Sequence, residues 1–229
     1  MNLQTASIRI FQTLILAILT TLSGTLEAQV APSPRPTTLA GRSTVYAPNG
    51  VAATSQPLAT GVALKVLQDG GNAFDAAVAA AAVLNVVEPH MTGLGGEVFA
   101  LFWSSKEGRL RGHDASGRSG SLATPDTIRA LGMDDVPYRG AQAVTVPGAL
   151  SGWSALLDQY GTLTLAEALA PAIEIAEEGF PVTPIIASQW RGNVRVLERD
   201  PGASATYLLE GSRAPEAGEW FRTPDLAAS

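Results

Sequence analysis

Asn72-Ala73-Phe74-Asp75-Ala76-Ala77-Val78 opens a run that stays apolar through Val87, with Asn85 its only further polar residue. Having no polar face, the run predicts a helix enclosed in the middle of a domain rather than one lying on its surface. At about 15 residues it is too short to cross a bilayer, which takes roughly 20. Asn72 has the chemistry of an N-cap, and Asp75 puts a carboxylate at the helix's positive end. Just upstream, Gly70-Gly71 ends a preceding helix that uses Pro57, Leu58, Val62, Val66 and Leu67. Downstream, Pro89-His90-Met91-Thr92-Gly93-Leu94-Gly95-Gly96 is a glycine-rich turn leading into the strand Val98-Phe99-Ala100-Leu101-Phe102-Trp103. Two helices, a glycine turn and a buried strand predict a layered α/β core.

Outward from this centre, composition narrows the classes of function. The chain is 46% hydrophobic and 16% charged, enough apolar material to bury a substantial core over most of its length. A net charge of −6 disfavours a nucleic-acid partner, which wants a basic face, and disfavours anionic membrane surfaces too. With no cysteine, a disulfide framework, a zinc ribbon and a thiol nucleophile are excluded. His90 and His113 are the only imidazoles and neither sits in a metal-ligand spacing, so no metal and no cofactor is expected.

Toward the N-terminus, Arg9 precedes an apolar stretch from Ile10 to Leu22, and Ser23 to Ala28 supplies small and polar residues. This order predicts a secretory signal over residues 1–28 and export to the periplasm or beyond; a retained membrane anchor is the other reading. Residues 29–44, rich in Pro and Thr, are expected to be a flexible lead-in to a domain over 45–229. Within that domain Val45-Tyr46 and Gly50–Thr54 read as a short strand. A hairpin at Ser104–Gly108 is predicted to return through Arg109–Asp114. A loop, Ala115–Gly120, and a short helix from Thr124-Pro125-Asp126 to Gly132 come next. Ala143–Val146 is strand-like. Leu150, Trp153, Leu156, Leu157 and Tyr160 then mark one face of an amphipathic helix. Thr164 and Glu167 form a capping box for a helix that Gly179 closes. One more helix is expected within 181–195, mostly loop over 200–218, and a helix opening at Pro224-Asp225-Leu226.

Taken together, several stretches resemble the large-subunit portion of the gamma-glutamyltransferase (glutathione hydrolase) family. They are Gln56-Pro57-Leu58-Ala59-Thr60, Gly70 to Ala79, Gly93-Leu94-Gly95-Gly96, Val146-Pro147-Gly148, Tyr160-Gly161, Leu169 to Ile173 and Ala176 to Val182. Their order and spacing carry the resemblance, which runs roughly from Val51 to Ser229. It implies an N-terminal-nucleophile hydrolase, a four-layer αββα sandwich made as a precursor that cuts itself in two. In that family a threonine freed at the start of the small subunit attacks a gamma-glutamyl amide, with its own amine as base, and passes the acyl group to water or an amino acid. The nucleophile is expected beyond Ser229, so no catalytic residue is assigned here. The sandwich is expected to be incomplete and inactive without the small-subunit half, its implied partner alongside a small gamma-glutamyl or related amide.

Arg118 is the candidate for substrate binding, because the resemblance implies an arginine in this loop that grips a carboxylate through its planar fork. Asp114 either orients that loop or simply ends a strand. The transferases carry Asp-Phe-Arg-Glu, whereas here the string is Asp114-Ala115-Ser116-Gly117-Arg118, nearer the acylase and amidohydrolase branches. An acylase or small-amide hydrolase is therefore a second reading, and a non-catalytic remnant domain a third. Gly93–Gly96 lacks the Lys-Ser or Lys-Thr of a phosphate loop and is expected to serve close backbone packing in the core. His90 reads as a turn residue, Glu177 and Glu178 as an exposed stripe, and Trp153 and Tyr160 as core.

Overall fold

The computed structural model describes residues 45–229, so the expected signal over 1–28 and the lead-in over 29–44 lie outside the described residues. The elements of the domain are α1 (Pro57–Gln68), α2 (Ala73–Val87), β1 (Val98–Ser104), β2 (Arg109–Ala115), α3 (Pro125–Ala130), α4 (Ala149–Tyr160), α5 (Leu165–Glu178), β3 (Phe180–Pro181), α6 (Pro184–Leu197), α7 (Pro201–Tyr207), β4 (Trp220–Phe221) and α8 (Pro224–Ala228). Strands β1 and β2 pair antiparallel, as do β3 and β4.

Helix α2 forms where its composition requires. Asn72 Oδ1 accepts the N–H groups of Phe74 and Asp75, while the Asp75 carboxylate accepts the N–H of Asn72, a complete capping box. Ten of its 15 residues are buried, which makes it the axis that α1, α4 and α5 pack against. Its alanines let those helices approach closely, so apolar area is removed from water on several sides at once. Trimming fully buried Val83 to Ala would cost about 1–2 kcal/mol by the methylenes lost.

A second knot ties α2 to the turn between α4 and α5. Asp75 is 0% exposed, and its carboxylate accepts Thr162 Oγ1 at 2.6 Å, Thr162 N at 2.8 Å and Leu163 N at 3.0 Å. Asn72 Nδ2 adds a bond to the Tyr160 carbonyl at 2.7 Å. Above this, Phe74 stacks on Tyr160 at 4.9 Å, and Phe102 from β1 meets Phe74 edge-on at 4.8 Å. The aromatic trio fastens the inner face of the hairpin to the helices.

At the C-terminal end, Trp190 is buried against Phe221 at 4.7 Å between ring centres and donates its Nε1–H to the Tyr207 carbonyl. Gly179 ends α5 with φ of 94°, and a side chain there would run into Trp220, whose Nε1 donates to the Glu178 carbonyl at 2.8 Å.

Four sequence expectations change. Val45-Tyr46 with Gly50–Thr54, and Ala143–Val146, form no strands: the first has no ladder partner among the described residues, and the second follows a short 3₁₀ turn over Ala141–Ala143 and then runs extended. Residues 201–207 are helical, because Asp200 accepts the N–H of Ala203 at 2.7 Å and Pro201 takes the first helical position. Strand β1 is covered on one face alone. Phe99, Leu101 and Trp103 are 68%, 73% and 62% exposed, and Leu110 of β2, opposite Trp103, is exposed beside them.

Candidate active-site edge

The hairpin register decides what meets at the edge that carries Asp114 and Arg118. Val98 pairs with Ala115 and Phe99 with Asp114, so the turn before β1 and the loop after β2 leave the sheet at the same end. The extended segment Thr145–Gly148 crosses that end on its way into α4. Three backbone bonds lock the crossing: Val146 N–H to the Arg118 carbonyl at 2.9 Å, and the N–H groups of Gly148 and Ala149 to the Gly96 carbonyl at 3.0 Å each. Thr145 Oγ1 adds a bond to Glu97 Oε1 at 3.1 Å. Helix α4 starts at Gly148 with no side-chain cap, so the Gly96 carbonyl does what a capping side chain usually does.

This corrects the expectation for Gly93–Gly96. Gly93 and Gly95 are exposed with open space where a side chain would stand, and the turn contributes a carbonyl cap rather than close packing in the core. The close approaches lie elsewhere. A Cβ on Gly117 would overlap the Val146 carbonyl, one on Gly148 would overlap the Ala115 carbonyl, and one on Gly152 would lie 2.5 Å from the Ala115 methyl. Such crowding was not legible in the sequence, although Ser116-Gly117-Arg118 and Pro147-Gly148 name the segments concerned.

Arg118 and Asp114 both lie on this edge, exposed to solvent. Among the described residues the Arg118 guanidinium forms no ion pair, while its main chain is held by Val146. Asp114 Oδ1 accepts Ser116 N at 2.8 Å and Ser116 Oγ at 2.6 Å. Those two bonds hold its carboxyl below the ordinary aspartate value, so the turn keeps its acceptor well into the acid range. Asp114 thus ends a strand and also pins the first turn of the loop.

The other candidates fall away from this edge. His90 sits in the turn after α2, bonded through Nε2 to Gln189 Oε1 at 2.7 Å. Glu177 and Glu178 are exposed at the end of α5, and Trp153 is buried on α4. No three His, Cys, Asp or Glu residues among the described residues stand together as metal ligands. No helix among them is long and apolar enough to cross a membrane.

A sequence profile described as gamma-glutamyltranspeptidase matches residues 59–229. The oxamate amidohydrolase proenzyme of Klebsiella pneumoniae subsp. pneumoniae is 43% identical over 187 residues, covering 79% of this chain and 35% of the relative. A crystal structure of cephalosporin acylase from Bacillus halodurans matches with a TM-score of 0.77 at 41% identity, over 86% of this chain and 37% of that one. The Helicobacter pylori gamma-glutamyltranspeptidase structure matches with a TM-score of 0.76 at 30% identity, over 81% of this chain and 54% of that one. The chain spans about a third of the length of the curated relatives it matches. Its helices on one side of an antiparallel hairpin are thus part of the αββα sandwich expected from the sequence, and the chain belongs to the gamma-glutamyltranspeptidase family.

Proposed function

We propose that this chain is the large-subunit part of an exported, self-cleaving amide hydrolase that splits gamma-glutamyl amides and passes the acyl group to water or an amino acid. The nucleophile is a threonine hydroxyl of the small-subunit half, activated by its own amine, and this chain supplies the carboxylate grip and one face of the sandwich. The observation that carries the reading is the family match over residues 59–229, which includes the locked edge bearing Arg118. A guanidinium with no ion-pair partner among the described residues, on a fixed main chain, suits two charge-assisted bonds to a carboxylate. The bare apolar face of β1 and β2 suits a second sheet packed across it.

Expression of the complete reading frame tests this. Two fragments from one precursor, together with release of the aniline from a gamma-glutamyl anilide, support it; a single uncut, inert chain overturns it. In that enzyme Arg118→Ala is expected to raise KM severalfold or more, and an unchanged KM removes the assignment of Arg118.

A second reading, an acylase or small-amide hydrolase on the same nucleophile, draws on the Ser116-Gly117-Arg118 loop and on the 43% and 41% identities to an amidohydrolase and an acylase. Faster hydrolysis of a dicarboxylic acyl amide lacking the α-amine than of the gamma-glutamyl amide would select it.

A further inference from the structure

We propose that Thr145–Gly148 is a positioning strap for Arg118, and that Gly117 and Gly148 are glycines because the strap must lie in backbone contact with the Ala115–Arg118 loop. This rests on the reading of Arg118 as a carboxylate grip and adds the residues that set its place. Three contacts carry the assignment. The Val146 N–H holds the Arg118 carbonyl at 2.9 Å. The Val146 carbonyl lies where a Gly117 side chain would be, with Thr145 Oγ1 3.1 Å from the same position. Gly148 meets the Ala115 carbonyl in the same way, and a Cβ there would also stand 3.1 Å from Gly117 N.

Neither glycine is needed for a positive φ. Gly148 has φ of −115° and ψ of −21°, which alanine can adopt, and Gly117 is not among the positive-φ glycines. The requirement is one of space. An added methyl must push the loop and the strap apart, and the push falls on the residue before Arg118. The strap is anchored at both of its ends, where Glu97 holds Thr145 and Gly96 holds Gly148 and Ala149, so the loop is the part that yields. A displaced guanidinium loses the paired geometry of its two bonds to a carboxylate, so the strap governs affinity for the carboxylate.

The test uses the complete, self-cleaved enzyme and two substrates: an amide with a free carboxylate on its acyl part, and its carboxamide counterpart. For Gly117→Ala, KM for the carboxylate substrate is expected to rise about tenfold or more with kcat within about threefold, while KM for the carboxamide stays put. Thr145→Val, which deletes only the hydroxyl bonded to Glu97, is the milder variant should Gly117→Ala fail to mature, and is expected to raise the same KM about two- to threefold. Equal rises for both substrates, or no rise in either variant while Arg118→Ala raises KM, overturn the strap and leave the Arg118 grip standing. No response even to Arg118→Ala overturns the grip itself, and the strap with it.

Discussion

The hydroxyl of Thr162 donates to the carboxylate of Asp75 at 2.6 Å, joining two residues 87 positions apart. Asp75 thereby does two jobs from one buried position: it caps its own helix through Asn72 N, and it gathers the hydroxyl and two main-chain N–H groups of the α4–α5 turn. The second job orients α4, whose first turn is fixed in the opposite direction by Gly96. The edge bearing Arg118 is therefore braced from both ends of α4.

Replacing Asp75 by alanine leaves the part-buried N–H groups of Asn72, Thr162 and Leu163 without their acceptor, at an expected cost of about 2–3 kcal/mol. Asp75→Asn should cost less, since one oxygen still accepts. The dependence on pH follows from the carboxyl's surroundings. Burial pushes it up, but the bonds from Thr162, Asn72 and Leu163 outweigh this and hold it below its ordinary 3.8. As pH falls the unfolded chain takes the proton first, so the stabilisation is whole above about pH 5 and is lost as pH drops through the folded value. Urea unfolding at pH 7 and at pH 3.5 should give a smaller gap between wild type and Asp75→Asn at the lower pH; an equal gap would remove the charge from the account.

Gly161 tests the same knot by volume. Its φ of −76° suits any residue, yet a Cβ there would stand 2.8 Å from Asp75 Oδ1 and 2.9 Å from the Leu157 Cα. Gly161→Ala should therefore destabilise by about 1–3 kcal/mol through overpacking, against the usual gain from reduced chain entropy. Thermal unfolding at neutral pH decides it, and a raised Tm would mean that the turn can open without disturbing Asp75.

The capping boxes at Asn72–Asp75 and Thr164–Glu167 could be read in the sequence because partner and cap lie three residues apart. Helix α7 had the same kind of signal in Asp200-Pro201, but Gly202 and Ser204 masked it, since both favour loops. Thr162 as a partner of Asp75 was illegible: nothing local links positions so far apart. The apolar run of β1 foretold a strand but not which face this chain would cover, because alternate residues are apolar on both sides. At the candidate site the loop could be read from its small residues and Arg118 was singled out through the family resemblance, whereas the strap could not be read from either. Val146 looks like a strand residue, and what matters is its carbonyl meeting Gly117.

The bare sheet face gives a third expectation. Phe99, Leu101, Trp103 and Leu110 together form an exposed apolar surface of the kind that marks an interface. Leu101→Lys should leave the helical core intact, since Leu101 is 73% exposed, and should abolish assembly with the small-subunit half. Circular dichroism unchanged from wild type, together with loss of co-purification of the two halves, is the expected pair of results. Continued assembly would show that the second sheet packs elsewhere.

Asp114 offers a way to separate loop geometry from charge. Asparagine keeps an oxygen for Ser116 N and Oγ, whereas alanine removes the acceptor and frees the first turn of the loop. Asp114 also places a negative charge on the strand leading to Arg118, the proposed carboxylate grip, so its neutralisation alone works toward tighter binding of an anion. Asparagine removes the charge alone, whereas alanine removes the charge and the acceptor together, so the difference between the two variants reads the loop geometry. In the complete enzyme, KM for a carboxylate-bearing amide should stay within about twofold for Asp114→Asn and rise about fivefold for Asp114→Ala, with kcat little changed in both. Because Ser116 holds the Asp114 carboxyl below its ordinary value, the wild-type KM should show no inflection from this group between pH 5 and pH 8. Equal KM values for the alanine variant and the wild type would mean that the strap alone holds the loop.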